Sequence, residues 1–464
     1  MSIIYKKSLF IFRRDLRLQD NTALNKSLEK SLYVIPCFNF DPVQVGSQNS
    51  FRSDNAIQFM IESLDDLAHH LKRKNGKLYF FFDELIINLQ RLIKQEQIEA
   101  IFTNRDYTPF SLKRDEAIRK LCEHHGIAFE QYDDALLNSP EKIHTQSNTP
   151  FSVYTAFYKN SLHFPVAKPT ALTDEGRFYT EHIAHEKTLE SIKDHLIKHE
   201  NPNINIRGGR QHAIAILKDL STFKNYQTTR DFPSIPTTHL SGHNKFGTVS
   251  IREVYHMMVR ELGANHGLIR QLYWRDFFTH VAYHSPFVFG QAFHKKYDDI
   301  PWAHNEKLFK AWCDGLTGFP IVDAGMRQLL ETGFMHNRTR MIVGSFLVKD
   351  LHIDWQWGEK FFAQHLLDYD PAVNNGSWQW VASTGCDATP YFRIFNPWLQ
   401  QEKFDKDCTY IKKWVPELKN VSNDVLHNLY KDSSRPIKGY PRPLVDHSVE
   451  SMKTKLIYKR AATN

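Results

Sequence analysis

Between His336 and Trp380 the chain gathers an unusual density of residues that can do chemistry: HNRTRMIVGSFLVKDLHIDWQWGEKFFAQHLLDYDPAVNNGSWQW. On a helix, Asn337, Arg340 and Met341 fall at i, i+3 and i+4 and share one face. Asp370 followed by Pro371 reads as an N-cap with a first-turn proline, which sets Asn374 one turn above Asp370. Trp378 and Trp380 follow at alternate positions. A fixed cation, carboxylates, amides and indoles are costly to cluster in a purely structural core, so this stretch calls for a ligand.

Other segments add candidates. Tyr226 and Arg230 precede PTTHLS (236–241), where Thr237, Thr238 and Ser241 offer hydroxyls and backbone N–H groups in a turn. Such a turn is either a cradle for phosphates or a simple helix cap. Gln271, Trp274 and Arg275 recur at i, i+3 and i+4, as a packed cation–π pair or as part of a site. Trp302 stands alone in IPWAHN (300–305), and TGCDATPYFRIFNPWLQQEKFD (384–405) is loop-like, basic and aromatic, a mixture suited to a phosphate backbone. In FRRDLRLQDN (12–21), Arg13, Arg14 and Arg17 would crown the carboxyl end of a sheet while Asp20 caps the next helix. That segment is either a site or a charged loop.

The elements that must position these residues divide the chain. Apolar runs at 8–12, 32–40, 77–82 and 100–104 read as buried parallel strands, separated by amphipathic helices at 54–73 and 111–125. This alternation predicts an α/β domain over 1–130 with a doubly wound parallel sheet, although no GxGxxG follows the first strand. Residues 131–205 read as an interdomain connector, and 206–464 as an all-α domain with helices over 208–223, 252–262, 269–284 and 319–333. The charged tail beyond Trp414 is expected to fray.

A chain of 464 residues is long enough for two or three cores, and 41% hydrophobic with 24% charged residues fits a globular protein. The apolar run before the first arginines is too short for a signal or spanning segment, and five scattered cysteines without CxxC spacing suit a reducing cytoplasm and hold no metal framework. The net charge of +7 permits a polyanionic partner. All nine tryptophans lie at or after Trp274, so the two halves do different work.

Taken in order, FRRDLRLQDN, RDFP with TTHLS, LYWRDFF, FPIVDAGMRQL, HNRTRM, NNGSWQWVASTGCDA and PYFRIFNP resemble the motifs of the photolyase/cryptochrome family across nearly the whole chain. The closest resemblance is to its class I cyclobutane pyrimidine dimer (CPD) DNA photolyases. It implies an FAD-binding carboxy-terminal domain in which Tyr226, Thr237, Thr238, Leu240, Ser241 and Arg275 hold the phosphate end of the cofactor. Arg340 and Asp368 would pair against the flavin ring, Asp370 would bond its polar edge and Asn374 would face N5. Trp378, Trp355 and Trp302 match the family's electron relay. Gln271, Asn337, Met341, Trp274 and Trp380 match the pocket for a flipped-out dimer, and Arg230, Arg393, Gln400 and Lys403 are candidates for gripping DNA.

The implied activity is light-driven splitting of CPDs by an electron lent from reduced flavin, without a metal, in a monomer. Gln271 stands where the family's CPD enzymes commonly carry glutamate, and Gly242 and Asn244 replace a common proline and leucine. The stretch 104–115 lacks the acidic residue of the folate-binding members, so an antenna chromophore could be methenyltetrahydrofolate, deazaflavin, another group or none. The alternatives are a cryptochrome-type photoreceptor and a (6-4) photolyase. The latter carries histidines where Asn337 and Met341 stand.

Overall fold

A computed structural model describes residues 3–173, 176–431 and 436–463. Five parallel strands, β1 (Tyr5–Ile11), β2 (Ser31–Phe40), β3 (Tyr79–Phe82), β4 (Ala100–Asn104) and β5 (Ala128–Tyr132), form a sheet in the order β3-β2-β1-β4-β5. Four of them are the expected apolar runs. The fifth, AFEQY, escapes such a reading because every residue in it is only half-buried. The chain reverses direction of growth between β1 and β4, the position where open α/β sheets place a crevice.

Contacts divide the chain into two compact units, and not at residues 130 and 205. One comprises Met1–Pro202, Ile206–Lys224 and Thr238–His284; the other comprises Asn203–Asn205, Asn225–Thr237 and Ser285–Asn464. The physical reason lies in the expected connector, which is part of the sheet unit. Val34 donates to the Arg177 carbonyl and Tyr179 donates back to Val34, both at 2.8 Å, while Phe178 and Ile183 are buried. The helices Ile251–Leu262 and Gly267–His284 join the same unit through charge. Arg252 bonds Asp20 (2.8 Å) and Asp134 (2.7 Å), and Asp276 accepts from the backbone N–H groups of Leu137 (2.8 Å) and Asn138 (3.2 Å).

The second unit is helical, with its core around Trp312, Phe319, Phe346, Trp355 and Trp378. Among the described residues its tail ends in a helix and not in a frayed strand of chain. His447–Thr463 is a helix whose buried Tyr458 donates to the Ala382 carbonyl at 2.6 Å. Of the terminal KRAATN, Asn464 lies outside the described residues.

Candidate functional site

In the helical unit, His336 caps the Asn337–Lys349 helix by accepting from the Arg338 N–H, and this fixes the face shared by Asn337, Arg340 and Met341. The Asn337 amide lies 3.6 Å from the Met341 sulfur. Arg340 donates through Nη2 to both oxygens of Asp368 (2.9 and 3.2 Å) and through Nε to the Met335 carbonyl (2.8 Å). Asp368 is nearly buried at 4% side-chain exposure whereas Arg340 keeps 25%, so part of the guanidinium stays available. A cation so placed is expensive to strand, and its carboxylate holds it there.

Asp370 caps the Pro371–Ala382 helix as its sequence suggests, accepting from the N–H groups of Ala372 and Val373, with the proline in the first turn. One turn on, Asn374 commits its Nδ2 to the Glu359 carbonyl at 3.0 Å. Its Oδ1 is therefore the atom left to accept from a partner. Glu359, which sequence reasoning passed over, receives Asn375 Nδ2 on its carboxylate at 2.9 Å. Burial pushes this carboxyl up to about 7, against the pull of the Asn375 hydrogen bond. Only its spacing from Trp355 on the Trp355–His365 helix could have drawn attention to it.

The tryptophans of this unit are graded in burial. Trp378 (3%) and Trp355 (2%) lie in the core and Trp302 is half-buried, 6.2 Å from the Tyr458 ring. Trp378 lies flush against the Trp355–His365 helix because position 358 is glycine, where a Cβ would come within 2.2 Å of the indole. Trp312, fully buried and unassigned by sequence reasoning, meets Trp378 edge-on at 6.2 Å. Trp380 is half-buried against the same core.

On the outer side of this unit, Gln400 and Lys403 share the Pro397–Phe404 helix, with Lys403 exposed, and Arg393 is exposed in the turn before it. Arg338, also missed, bonds Asp231 at 2.7 Å and lies 4.4 Å over the Phe404 ring, beside Lys403. Its nearness to Asn337 in sequence was the available signal. Arg230 is half-buried at the end of the Tyr226–Thr229 turn of helix, and burial pushes the Tyr226 phenol up. Thr237 ends this segment half-buried.

In the sheet unit, Thr238 accepts from the Leu240 N–H (3.4 Å), and buried Leu240 precedes the short helix Ser241–Phe246 at its N-cap position, with Ser241 exposed. Arg275 donates to the carbonyls of Ala135 (2.7 Å) and Asn244 (3.4 Å), the latter within that short helix. Trp274 stacks on Tyr154 with ring centroids 3.6 Å apart and planes 8° from parallel, so one of its faces is already covered. Gln271, one turn earlier, bonds the Gly267 carbonyl at 3.4 Å.

The arginines after β1 are spent internally. Arg13 pairs with Asp115 (2.7 Å), Arg14 with Asp106 (3.1 Å) and Arg17 with Asp134 (2.5 Å). Burial would raise the Asp134 carboxyl, yet Arg17 and Arg252 together hold it at about 2. The cap of the next helix is Asn21, which accepts from the Leu24 N–H. Asp20 was the expected cap, but its backbone is left-handed (φ 52) and its carboxylate is taken by Arg252. Gly247 sits under this turn with φ +62, where a Cβ would strike the Arg14 carbonyl at 2.2 Å. Among the described residues no group of three or more His, Cys, Asp or Glu side chains could hold a metal ion, and no helix is long and apolar enough to cross a membrane.

Comparison with known proteins agrees with these features. Residues 8–172 match the family model of DNA photolyase, and residues 268–460 match that of the FAD binding domain of DNA photolyase. A deoxyribodipyrimidine photo-lyase of Synechococcus sp. is 37% identical, covering 97% of this chain and 96% of the relative. The photolyase of the archaeon Sulfolobus tokodaii, described with two FAD molecules, is 43% identical with a TM-score of 0.89, covering 98% of this chain and all of that one. A class III photolyase of Agrobacterium tumefaciens is 32% identical with a TM-score of 0.92, covering 100% of this chain and 99% of that one. With an α/β domain of five parallel strands, a helical FAD-binding domain and this kinship along its whole length, the chain belongs to the DNA photolyase family.

Proposed function

We propose that the protein is a deoxyribodipyrimidine photo-lyase that splits cyclobutane pyrimidine dimers in DNA with light. The observation that carries this reading is the pair Asn337 and Met341, in contact at 3.6 Å on the helix face that also bears Arg340. Neither side chain moves a proton near neutrality, which suits a ring-opening that needs no general acid and not a (6-4) repair that does. Full-length similarity to proteins named for this activity supports the same reading.

FAD, when bound, supplies the light absorption and the transferable electron. The residues do the rest. Arg340, held by Asp368, offers the unpaired part of its guanidinium to the ring, and Asp370 bonds the ring's polar edge. Asn374, its amide nitrogen already committed, can accept from N5–H and so favour the reduced cofactor. Tyr226, Thr237, Thr238, Leu240, Ser241 and Arg275 hold the phosphate end. Trp302, Trp355 and Trp378 pass electrons inward from the surface. Trp274, Trp380 and Gln271 bound the dimer pocket, since a lesion must leave the duplex to be reached and stacking on indole offsets part of the unpairing cost. Arg230, Arg393, Gln400 and Lys403 grip the strand, and Arg338 joins them.

Whether an antenna chromophore is present, and which, stays open within the same reading. The two FAD molecules of the Sulfolobus relative support a flavin as candidate beside methenyltetrahydrofolate and deazaflavin. The protein acts as a monomer on damaged DNA. The test is repair by the purified, reduced protein of DNA carrying defined CPD or (6-4) lesions, in light and in darkness. Light-dependent loss of CPDs alone is expected. Failure to remove them in the light would overturn the enzyme reading in favour of a photoreceptor.

A further inference from the structure

Lys349 is the last residue of the Asn337–Lys349 helix, and it is fully buried. Buried lysines are rare unless a carboxylate pairs with them. Lys349 takes none. The neighbouring Asp350 is occupied by His447 at 2.5 Å, and Glu450 by His352 at 2.7 Å. The Lys349 Nζ donates to two neutral oxygens, the Ser383 hydroxyl at 2.9 Å and the Arg393 carbonyl at 3.2 Å. Burial pushes its ammonium down to about 7, with Asp350 pulling the other way. A methionine would fill similar volume at lower cost, so the role of the lysine lies in what it connects.

What it connects is the two ends of one loop. Ser383, left-handed at φ +61, ends the Pro371–Ala382 helix, and Arg393 lies ten residues on, exposed. The intervening turn gains a further hold where Tyr391 stacks on Tyr458, 6.0 Å apart and 7° from parallel. The lysine sits at the C-terminal ends of two helices, where their dipoles favour a cation. That explains how its charge is tolerated without a carboxylate.

We propose that Lys349 is a positioning residue that clasps the 383–393 loop and thereby sets the Arg393 guanidinium for a DNA phosphate. The proposal rests on the reading that Arg393 grips DNA. Among the described residues no carboxylate pairs with that guanidinium, so its direction comes from the loop backbone, which Lys349 holds at the Arg393 carbonyl itself. The candidates for the flavin ring are remote along the chain: Asn374 precedes Ser383 by nine residues, about 14 Å of helix rise. Loss of the clasp therefore acts on DNA affinity and spares the cofactor.

The experiment is a double-mutant cycle on the FAD-loaded protein with CPD-containing duplex DNA. Lys349→Met should raise the Kd about tenfold, as expected for loss of a charge-assisted hydrogen bond. It should also lower the slope of log affinity against log salt by about 0.9, one phosphate contact. Repair at saturating DNA and flavin content should stay at the level of the parent protein. Arg393→Ala should likewise weaken affinity and lower the salt slope, and the double variant should bind no more weakly than Arg393→Ala alone. Additive losses, or an unchanged salt slope in Lys349→Met beside a lowered one in Arg393→Ala, would overturn the clasp. If Arg393→Ala itself leaves affinity and slope unchanged, the DNA role of Arg393 fails instead, and the proposal with it. Should Lys349→Met not fold, Ser383→Ala, which removes one acceptor only, must show a smaller shift of the same sign or the clasp is refuted.

Discussion

The turn after β1 and the stretch from Asn337 to Trp380 look alike in composition, since both place arginines, carboxylates and amides in a buried setting. Their accounts differ. After β1, Arg13, Arg14 and Arg17 each close on a carboxylate, and Asp134 is shared between Arg17 and Arg252. In the helical unit, Arg340 keeps a quarter of its side chain exposed, Asn374 has one amide atom uncommitted, and Asn337 is exposed beside Met341. A buried cluster whose charges close on one another supports the fold, even where, as at Arg13, the guanidinium nitrogens are ion-paired without making a hydrogen bond. One whose polar groups stay partly exposed and only partly bonded is open to a ligand.

The largest effect that could break this contrast is expected at Asp134. Asp134→Ala takes from buried Arg17 its carboxylate and leaves Arg252 with Asp20 alone, and should destabilise the protein by about 3–5 kcal/mol in chemical denaturation. Flavin retained per folded molecule should not change; cofactor loss at temperatures where the variant is folded would erase the distinction between the two clusters.

Next is Glu359, whose folded carboxyl stands at about 7 against an ordinary 4.5. A raised carboxyl contributes stability that is complete below the unfolded value and is lost as pH rises through 7. Relative to Glu359→Gln, the parent protein should therefore lose roughly 3 kcal/mol between pH 4.5 and 8. Parallel pH–stability curves for the two proteins would show that Glu359 is ionised throughout.

Asn374→Ala should cost little stability but weaken retention of reduced flavin by about 1 kcal/mol, near fivefold, read as a shift in the cofactor's reduction midpoint. An unshifted midpoint would remove Asn374 from the cofactor's edge. The smallest thermodynamic change is expected for Trp302→Phe, which should slow photoreduction while prereduced protein repairs at the parent rate. Equal loss of both activities would argue against a relay through Trp302.

Local chemistry explains what could be read in advance. Asp370 with Pro371 specifies its cap within three residues, and the strand runs at 32–40 and 100–104 are mostly apolar because both faces of the sheet are largely covered there. The half-buried β5 carries no such signal. Asp20 and Asn21 are equally good caps by type, and the choice between them fell to Arg252, more than two hundred residues away in the chain. The segment 131–205 reads as a connector since it is irregular, with polar and proline-containing pieces, yet Phe178 completes the edge beside β2.

The sequence by itself determined the family, the alternation of strands and helices in the first domain, and the residue types available to hold a flavin and a lesion. The family follows from the resemblance of its ordered motifs, and the rest from side-chain chemistry, short apolar runs and the 3.6 period, none of which needs a distant partner. Only the tertiary structure decided which charges are consumed and which are left over. That division depends on pairs such as Arg17 with Asp134, Arg340 with Asp368, and Lys349 with Ser383 and Arg393, and no local pattern encodes a partner that the fold alone brings within about 3 Å.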